Sequence, residues 1–435
     1  MVIIGHNERI AWGVTNLPAD VQDFYIEKFD DPAHPTQYEF QGEWRDLDIL
    51  YETIEVKDST PYTLQVLLTH HGPVMNRVLG NLPQAEPLAL QWTALEANRL
   101  FEAVRQINLA TNWEEFREAL SFWDAPSQNF VYADVEGNIG YQSPGKIPIR
   151  APGHQGSVPV PGWAGEYEWQ GFVPFDELPR SFNPPAGFIA TANNKVVTDD
   201  YPYHIAYEWA APYRAQRIVD LLESNDSITA EDIRNIHAQT YSLPAEALRP
   251  YLSAVEPADA LQSEALAIVE QWDLYNETGS TGASVFQVWY WFLVENTFRD
   301  ELGDALMDRY RAYSNTHVPL MIDKMTQEDN QWFDDIHTPA AESRDDIVAN
   351  SFVDAVDWLR STYGEDPDKW QWGQLHTKTF VHNPLGQSGI GIIESLFNSD
   401  TIPARGDGFT VDAAPYSFGD PFAMGGGVSQ RYIAD

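Results

Sequence analysis

The chain has 435 residues, which at roughly 150 per domain gives about three folding units, or two with long insertions, and room for a large core. Its formal charge is −39, with 65 Asp and Glu against 26 Lys and Arg, a balance that repels phosphate backbones and excludes sequence-independent nucleic-acid binding. It has no Cys, which excludes disulfides, thiolate nucleophiles and Cys-ligated metals, and its aromatic content of 13% excludes an intrinsically disordered chain.

The opening residues, MVIIGHNERIAWG, carry no basic region, apolar stretch or cleavage site of a signal peptide, and a strand-like start without one is read as a chain whose beginning is missing. From residue 1 to about 195 short alternating segments separated by turn residues predict antiparallel strands, among them 10–15, 24–29, 49–56 and 62–71. Residues 131–142, VYADVEGNIGYQ, place Glu-Gly-Asn between two such runs and predict a hairpin. A helical period intervenes at 96–123, with Phe101, Val104 and Ile107 on one face and Trp113, Phe116 and Leu120 on the next. His70 and His71 fall in the 62–71 run, where neighbouring side chains point to opposite faces, so they are not expected to share a metal.

From about Pro212 the period becomes 3.6, and Thr229 with Asp232 has the spacing of a capping box. Further helices are predicted near 260–273, 281–304, 316–327 and 345–363. The most apolar stretch, 285–298, holds Gln287, Glu295 and Asn296 and is shorter than the roughly 20 apolar residues of a membrane span, so it reads as a buried helix. After about Gln374 strand and turn signals return and run to RYIAD, where the chain stops without a polar tail and reads as cut. The abundance of carboxylates with only seven lysines suits a high-salt milieu.

No zinc-protease, dinucleotide, phosphate-loop or nucleophile-elbow motif is present, and nothing calls for an organic cofactor. Three local clusters stand out. Asp20-x-x-Asp23 follows the strand that ends at Asn16, and carboxylates three apart in a loop can share a hard cation such as calcium. Asn193-Asn194 lies after the Pro-rich stretch Asn183–Gly187, and an amide at a strand mouth can donate to an oxyanion. Arg214, at the start of the helical region, could orient such an amide. A glycosidase would need two inward carboxylates about 5–9.5 Å apart, and no such pair is legible.

In this order and spacing, GHNERIAWGVTNLPADVQDFY, FVYADVEGNIGY, VPVPGWAGEYEWQG, NPPAGFIATANNK, the YR-x-x-RI of 213–218 and GDGFTVDAAPY resemble the penicillin acylase (penicillin amidase) family of N-terminal-nucleophile hydrolases. The resemblance implies an α+β fold, a four-layered αββα sandwich with a large helical insertion. It divides the chain into a β-rich part at 1–200, the insertion at 201–373 and a return to the sandwich sheets at 374–435. It implies hydrolysis of linear amides through an acyl-enzyme on a processed N-terminal serine whose own α-amino group is the base. Asn193 corresponds to the side-chain oxyanion donor, Asn16 to the residue lending a backbone N–H, and Arg214 to the supporting arginine. Ile4, Pro18 and Gln128 fall near the acyl pocket, and an unpartnered Gln128 amide, at a cost of about 1–3 kcal/mol, would argue against a phenylacetyl group and leave aliphatic acyl amides open. Asp20 and Asp23, with the carbonyls of Gln22 and Gly156, correspond to a structural Ca2+ site. A further carboxylate expected near 203–205 is missing, with Glu208 or Asp199 available in its place.

The serine expected upstream of Gly5 is not among these residues, so the chain as written is expected to be an inactive fragment. The partners implied are a small-molecule amide substrate, a separate α-subunit and the N-terminal β segment of the same precursor, with no nucleic acid and no membrane. The family's members are exported, implying a periplasmic or extracellular location. The alternative is a non-catalytic remnant or binding module.

Overall fold

A computed structural model describes residues 1–79, 86–96, 98–312, 314–328 and 330–434. They form an α+β architecture in two compact units, one of residues 1–209 with 434 and one of residues 210–433.

The first unit is organised on a five-stranded antiparallel sheet. Its strands are β1 (Gly5–His6), β2 (Ile10–Asn16), β9 (Gln128–Asp134), β10 (Ile139–Gln142) and β12 (Arg180–Phe182), in the order β1-β2-β9-β10-β12. Along β2 the alternation sends Ile10 and Trp12 inward. They pack with Ala103, Val104 and Ile107 of α1 (Leu100–Ile107) and with Trp113, Phe116, Ala119 and Leu120 of α2 (Trp113–Leu120). Asn112 starts α2 by accepting a hydrogen bond from the Glu115 N–H. Burying an apolar side chain of this size stabilises by about 1.5–3 kcal/mol. Gly140 lets Trp113 lie flat on the sheet, since a Cβ there would come within 2.4 Å of the indole.

A smaller sheet, β11-β3-β8, joins β3 (Gln22–Ile26), β8 (Leu88–Trp92) and β11 (Val160–Pro161). Two hairpins complete the unit, β4 (Gln37–Phe40) with β5 (Glu43–Asp46) and β6 (Asp48–Ile54) with β7 (Tyr62–Leu68). Strand β7 stops at Leu68, short of the expected residue 71, because Thr69 and Gly72 exchange backbone hydrogen bonds and turn the chain. His70 and His71 therefore sit in a bend, and both rings reach Glu168, contrary to the opposed orientation expected on a strand.

The second unit is mostly helical, with α3 (Tyr213–Glu223), α4 (Ala230–His237), α5 (Leu243–Leu248), α6 (Ala260–Gln271), α7 (Thr281–Tyr310), α8 (Ser314–Met325) and α9 (Arg344–Tyr363). Thr229 and Asp232 form the capping box that opens α4. Helix α7 is buried on nearly every face as far as Phe298 and is interrupted at Gly303, whose φ of 65° breaks the helical backbone. Its Glu295, almost fully buried, is held by Arg299 and Arg311 at 2.6–3.1 Å.

Residues 374–433 lie in this unit, and among the described residues their strands form two short pairs, β13 (Thr377–Lys378) with β14 (Ile402–Pro403) and β15 (Tyr416–Ser417) with β16 (Asp420–Met424). Read from sequence as a return to the first sheets, this stretch instead makes short pairs interrupted by Pro403, Gly406, Pro415 and Gly419. Residues 431–434, expected as a strand, have none.

Candidate active site

The end of β2 and the start of β9 meet with Asn16 opposite Gln128, and amides converge on that junction. Asn193 Nδ2 donates to the Asn16 carbonyl at 2.8 Å, and Asn129 Nδ2 donates to the same oxygen at 3.1 Å. Asn129 is fully buried and also donates to Thr15 Oγ1, while its own oxygen accepts the Tyr141 hydroxyl at 2.7 Å. Burial pushes the Tyr141 phenol up, which keeps its proton in place for that bond. Thr15 and Thr191 share a hydroxyl contact at 3.0 Å. The result is a neutral, donor-rich strand end.

Asn193 reaches this junction through its backbone. Its φ is 64°, a left-handed conformation that Asn tolerates, and Asn194 Oδ1 accepts from the Ala192 N–H to close the turn. The two asparagines thus divide the work, one shaping the loop and the other delivering its amide to Asn16. Gln128 Nε2 donates to Asn16 Oδ1 at 3.2 Å. Its amide therefore has a partner, and the expected penalty against an aromatic acyl group is not incurred. Pro18 follows buried Leu17, two residues beyond Asn16. Ile4 precedes β1, whose Gly5 lies opposite Trp12, and so sits two strands from β9, with β2 between. Arg214 lies in the second unit near the start of α3, where burial lowers its guanidinium from the usual value.

Three of the four expected calcium residues come together. Gly156, at φ 82°, brings its backbone so close to Asp20 and Asp23 that a Cβ would fall 2.4 Å from Asp23 Oδ1. Gln22 opens β3 on an exposed position. The cation at the centre is a side chain, Arg150, which sequence reasoning passed over. Its Nε donates to both oxygens of Asp23 at 2.9 and 3.1 Å, and its Nη2 lies 3.3 Å from Asp20 Oδ1. Trp169 Nε1 donates to Asp23 Oδ2 at 2.5 Å, and His154 and His204 lie 3.5 and 3.6 Å from Asp23 and Asp20.

Calcium takes six to eight oxygens, whereas here N–H donors occupy the Asp23 carboxylate and a buried guanidinium supplies the positive charge. The residues present do not fit a calcium ion. No local signal marks Arg150, which stands 127 residues from Asp23. Asn129 could have been found, since it follows Gln128 in the strand already singled out.

A sequence model of the family described as penicillin amidase matches residues 1–435. "Acyl-homoserine lactone acylase QuiP" of Pseudomonas fluorescens is 30% identical over 456 residues, covering 100% of this chain and 54% of the relative. "Penicillin acylase 2 proenzyme" of Pseudomonas sp. (strain SE83) is 30% identical over 437 residues, covering 99% and 54%. Among solved structures, thermostable penicillin G acylase from Alcaligenes faecalis superposes with a TM-score of 0.73 at 22% identity, over 93% of this chain and 77% of that one, a likeness of fold. The chain spans about half the length of the curated relatives it matches.

Proposed function

The chain belongs to the penicillin amidase family, and on that premise we propose that it is the body of an amide hydrolase that cleaves a linear C–N amide bond through an acyl-enzyme. The observation that carries this reading is the 2.8 Å contact of Asn193 Nδ2 with the Asn16 carbonyl, which holds a side-chain amide at the mouth of β2. In this reading the Asn193 amide and the Asn16 backbone N–H are the donors to the oxyanion, and Arg214 keeps the supporting role that the family resemblance implies. The nucleophile is a serine at a processed N-terminus, with its α-amino group as base. On the same proposal that serine, an α-subunit and the N-terminal β segment of the same precursor complete the enzyme. In this reading the fold is the four-layered αββα sandwich and the mature enzyme works in the periplasm or outside the cell. Among the described residues no helix is long and apolar enough to cross a membrane.

For substrate, the names of the relatives favour N-acyl-homoserine lactones, and a partnered Gln128 leaves phenylacetyl amides such as penicillin G as the comparison to make. The test is hydrolysis of both amides, followed by amine release, by the full-length protein and its Asn193→Ala variant. Loss of one oxyanion donor lowers turnover by about 10²–10³. Near-normal turnover with an unchanged circular dichroism spectrum would overturn the assignment of Asn193.

A further inference from the structure

The bend after β7 gathers chemistry that the amide-hydrolase reading does not use. The Glu27 carboxylate, fully buried, accepts the Thr69 hydroxyl at 2.7 Å and lies 2.8 Å from His71 Nδ1. The His71 ring is buried and stacks on Tyr25 with centroids 3.7 Å apart. Its Nε2 points away from Glu27 and lies 2.9 Å from Glu168 Oε1. His70 lies against His71 with centroids 3.8 Å apart and brings its Nε2 to 3.6 Å from Glu168 Oε2. One ligand atom each from His70, His71 and Glu168 fall within 4.8 Å of one another.

We propose that His70, His71 and Glu168 bind a divalent transition metal, zinc by the chemistry of the donors. Two imidazole nitrogens and one carboxylate oxygen are a zinc donor set, and hard cations such as calcium prefer oxygen alone. Ligands about 2.0–2.1 Å from a tetrahedral ion lie roughly 3.3 Å apart, so the group closes on a metal by small rotations of His70 and Glu168. Those two side chains are 27% and 33% exposed, which leaves the fourth position to water. Glu27 on Nδ1 holds the His71 ring with Nε2 outward, so a metal that displaces the Nε2 proton now given to Glu168 meets the carboxylate–histidine arrangement found behind metal-ligating imidazoles. Charge favours the ion as well. Two carboxylates face one shared imidazole, and Glu27 Oε2 is buried without a hydrogen-bond partner. Gly162 makes the cradle possible, because a Cβ there would come within 2.9 Å of Glu27 Oε2 and 3.0 Å of His71 Cε1.

The experiment uses the purified protein, stripped by chelator and re-equilibrated with Zn(II) or Co(II). The expected result is one zinc per chain by atomic emission and a Co(II) visible band of tetrahedral intensity, neither displaced by calcium. Affinity falls at least about tenfold in His70→Ala and in Glu168→Gln, and about 10–100-fold in Glu27→Gln. In the unmutated protein, zinc protects His70 from diethyl pyrocarbonate, read by mass spectrometry, so the test does not depend on the variants folding. Absence of bound zinc, equal binding in His70→Ala and Glu168→Gln, or unprotected His70 at saturating zinc would each overturn the proposal.

Discussion

Two groups of acids in the first unit, one around Asp23 and one around Glu27 and Glu168, obtain their positive charge from different sources. At Asp23 the counter-ion is Arg150, always charged and planar, and its fork takes both carboxylate oxygens. Around Glu27 and Glu168 it is the His71 imidazole, positive only when protonated and divided between two acids. Burial acts to lower the His71 pKa, but its hydrogen bonds to Glu168 and Glu27 outweigh that and raise it. Burial acts to raise Glu168, but the bonds from His70 and His71 outweigh it and hold the carboxyl at about 2. The permanent fork leaves no vacancy for a metal. An imidazole can give up its Nε2 proton and offer the lone pair to a metal, which a guanidinium cannot.

The largest effect that would test this contrast is at Arg150. Arg150→Ala leaves the Asp23 charge buried and unpaired, and urea unfolding should show a loss of about 3–5 kcal/mol. A loss under about 1 kcal/mol would break the comparison. Next, zinc at about 100 times its dissociation constant should stabilise the protein by roughly 2.7 kcal/mol in thermal scans, while calcium leaves the midpoint where it was. A calcium-dependent rise would reopen the Asp20–Asp23 site. The smallest change supplies a neutral reference. Tyr141→Phe removes the donor to the buried Asn129 oxygen, and the same urea titration should register between about 1 and 2 kcal/mol. A cost equal to that of Arg150→Ala would mean that charge is not what sets the two acid groups apart.

What could be read from the sequence is what is local. The alternation of β2, the Glu-Gly-Asn turn between β9 and β10 and the Thr229–Asp232 capping box each depend on neighbours a few residues away. Asp20-x-x-Asp23 was visible for the same reason, as were Asn16 and Asn193 through their motifs. The partner that decides each cluster comes from afar. Arg150 reaches Asp23 across 127 residues, Glu168 reaches His71 across 97, and Asn193 reaches Asn16 across 177. Spacing cannot report which side chain arrives over such distances. The bend at 69–72 was missed because a β-rich run through His71 reads as continuous strand until its turn is seen to close on Gly72. After residue 374 strand-like residues are interrupted too often by Pro and Gly to extend a ladder, which a local pattern does not reveal.

The left-handed backbone of Asn193 also limits the alphabet open to that position. At φ 64° most L-residues lose roughly 1–2 kcal/mol, while Gly, Asn and Asp enter the region readily. Alanine therefore changes two things at once, the amide and the loop. Glycine keeps the loop and deletes only the amide. Aspartate keeps the loop and nearly the same outline but sets an acceptor against the Asn16 carbonyl, where a donor belongs. At 193, Gly, Asn and Asp keep the turn at the least cost, and of these three only Asn also sends a side-chain amide donor to Asn16.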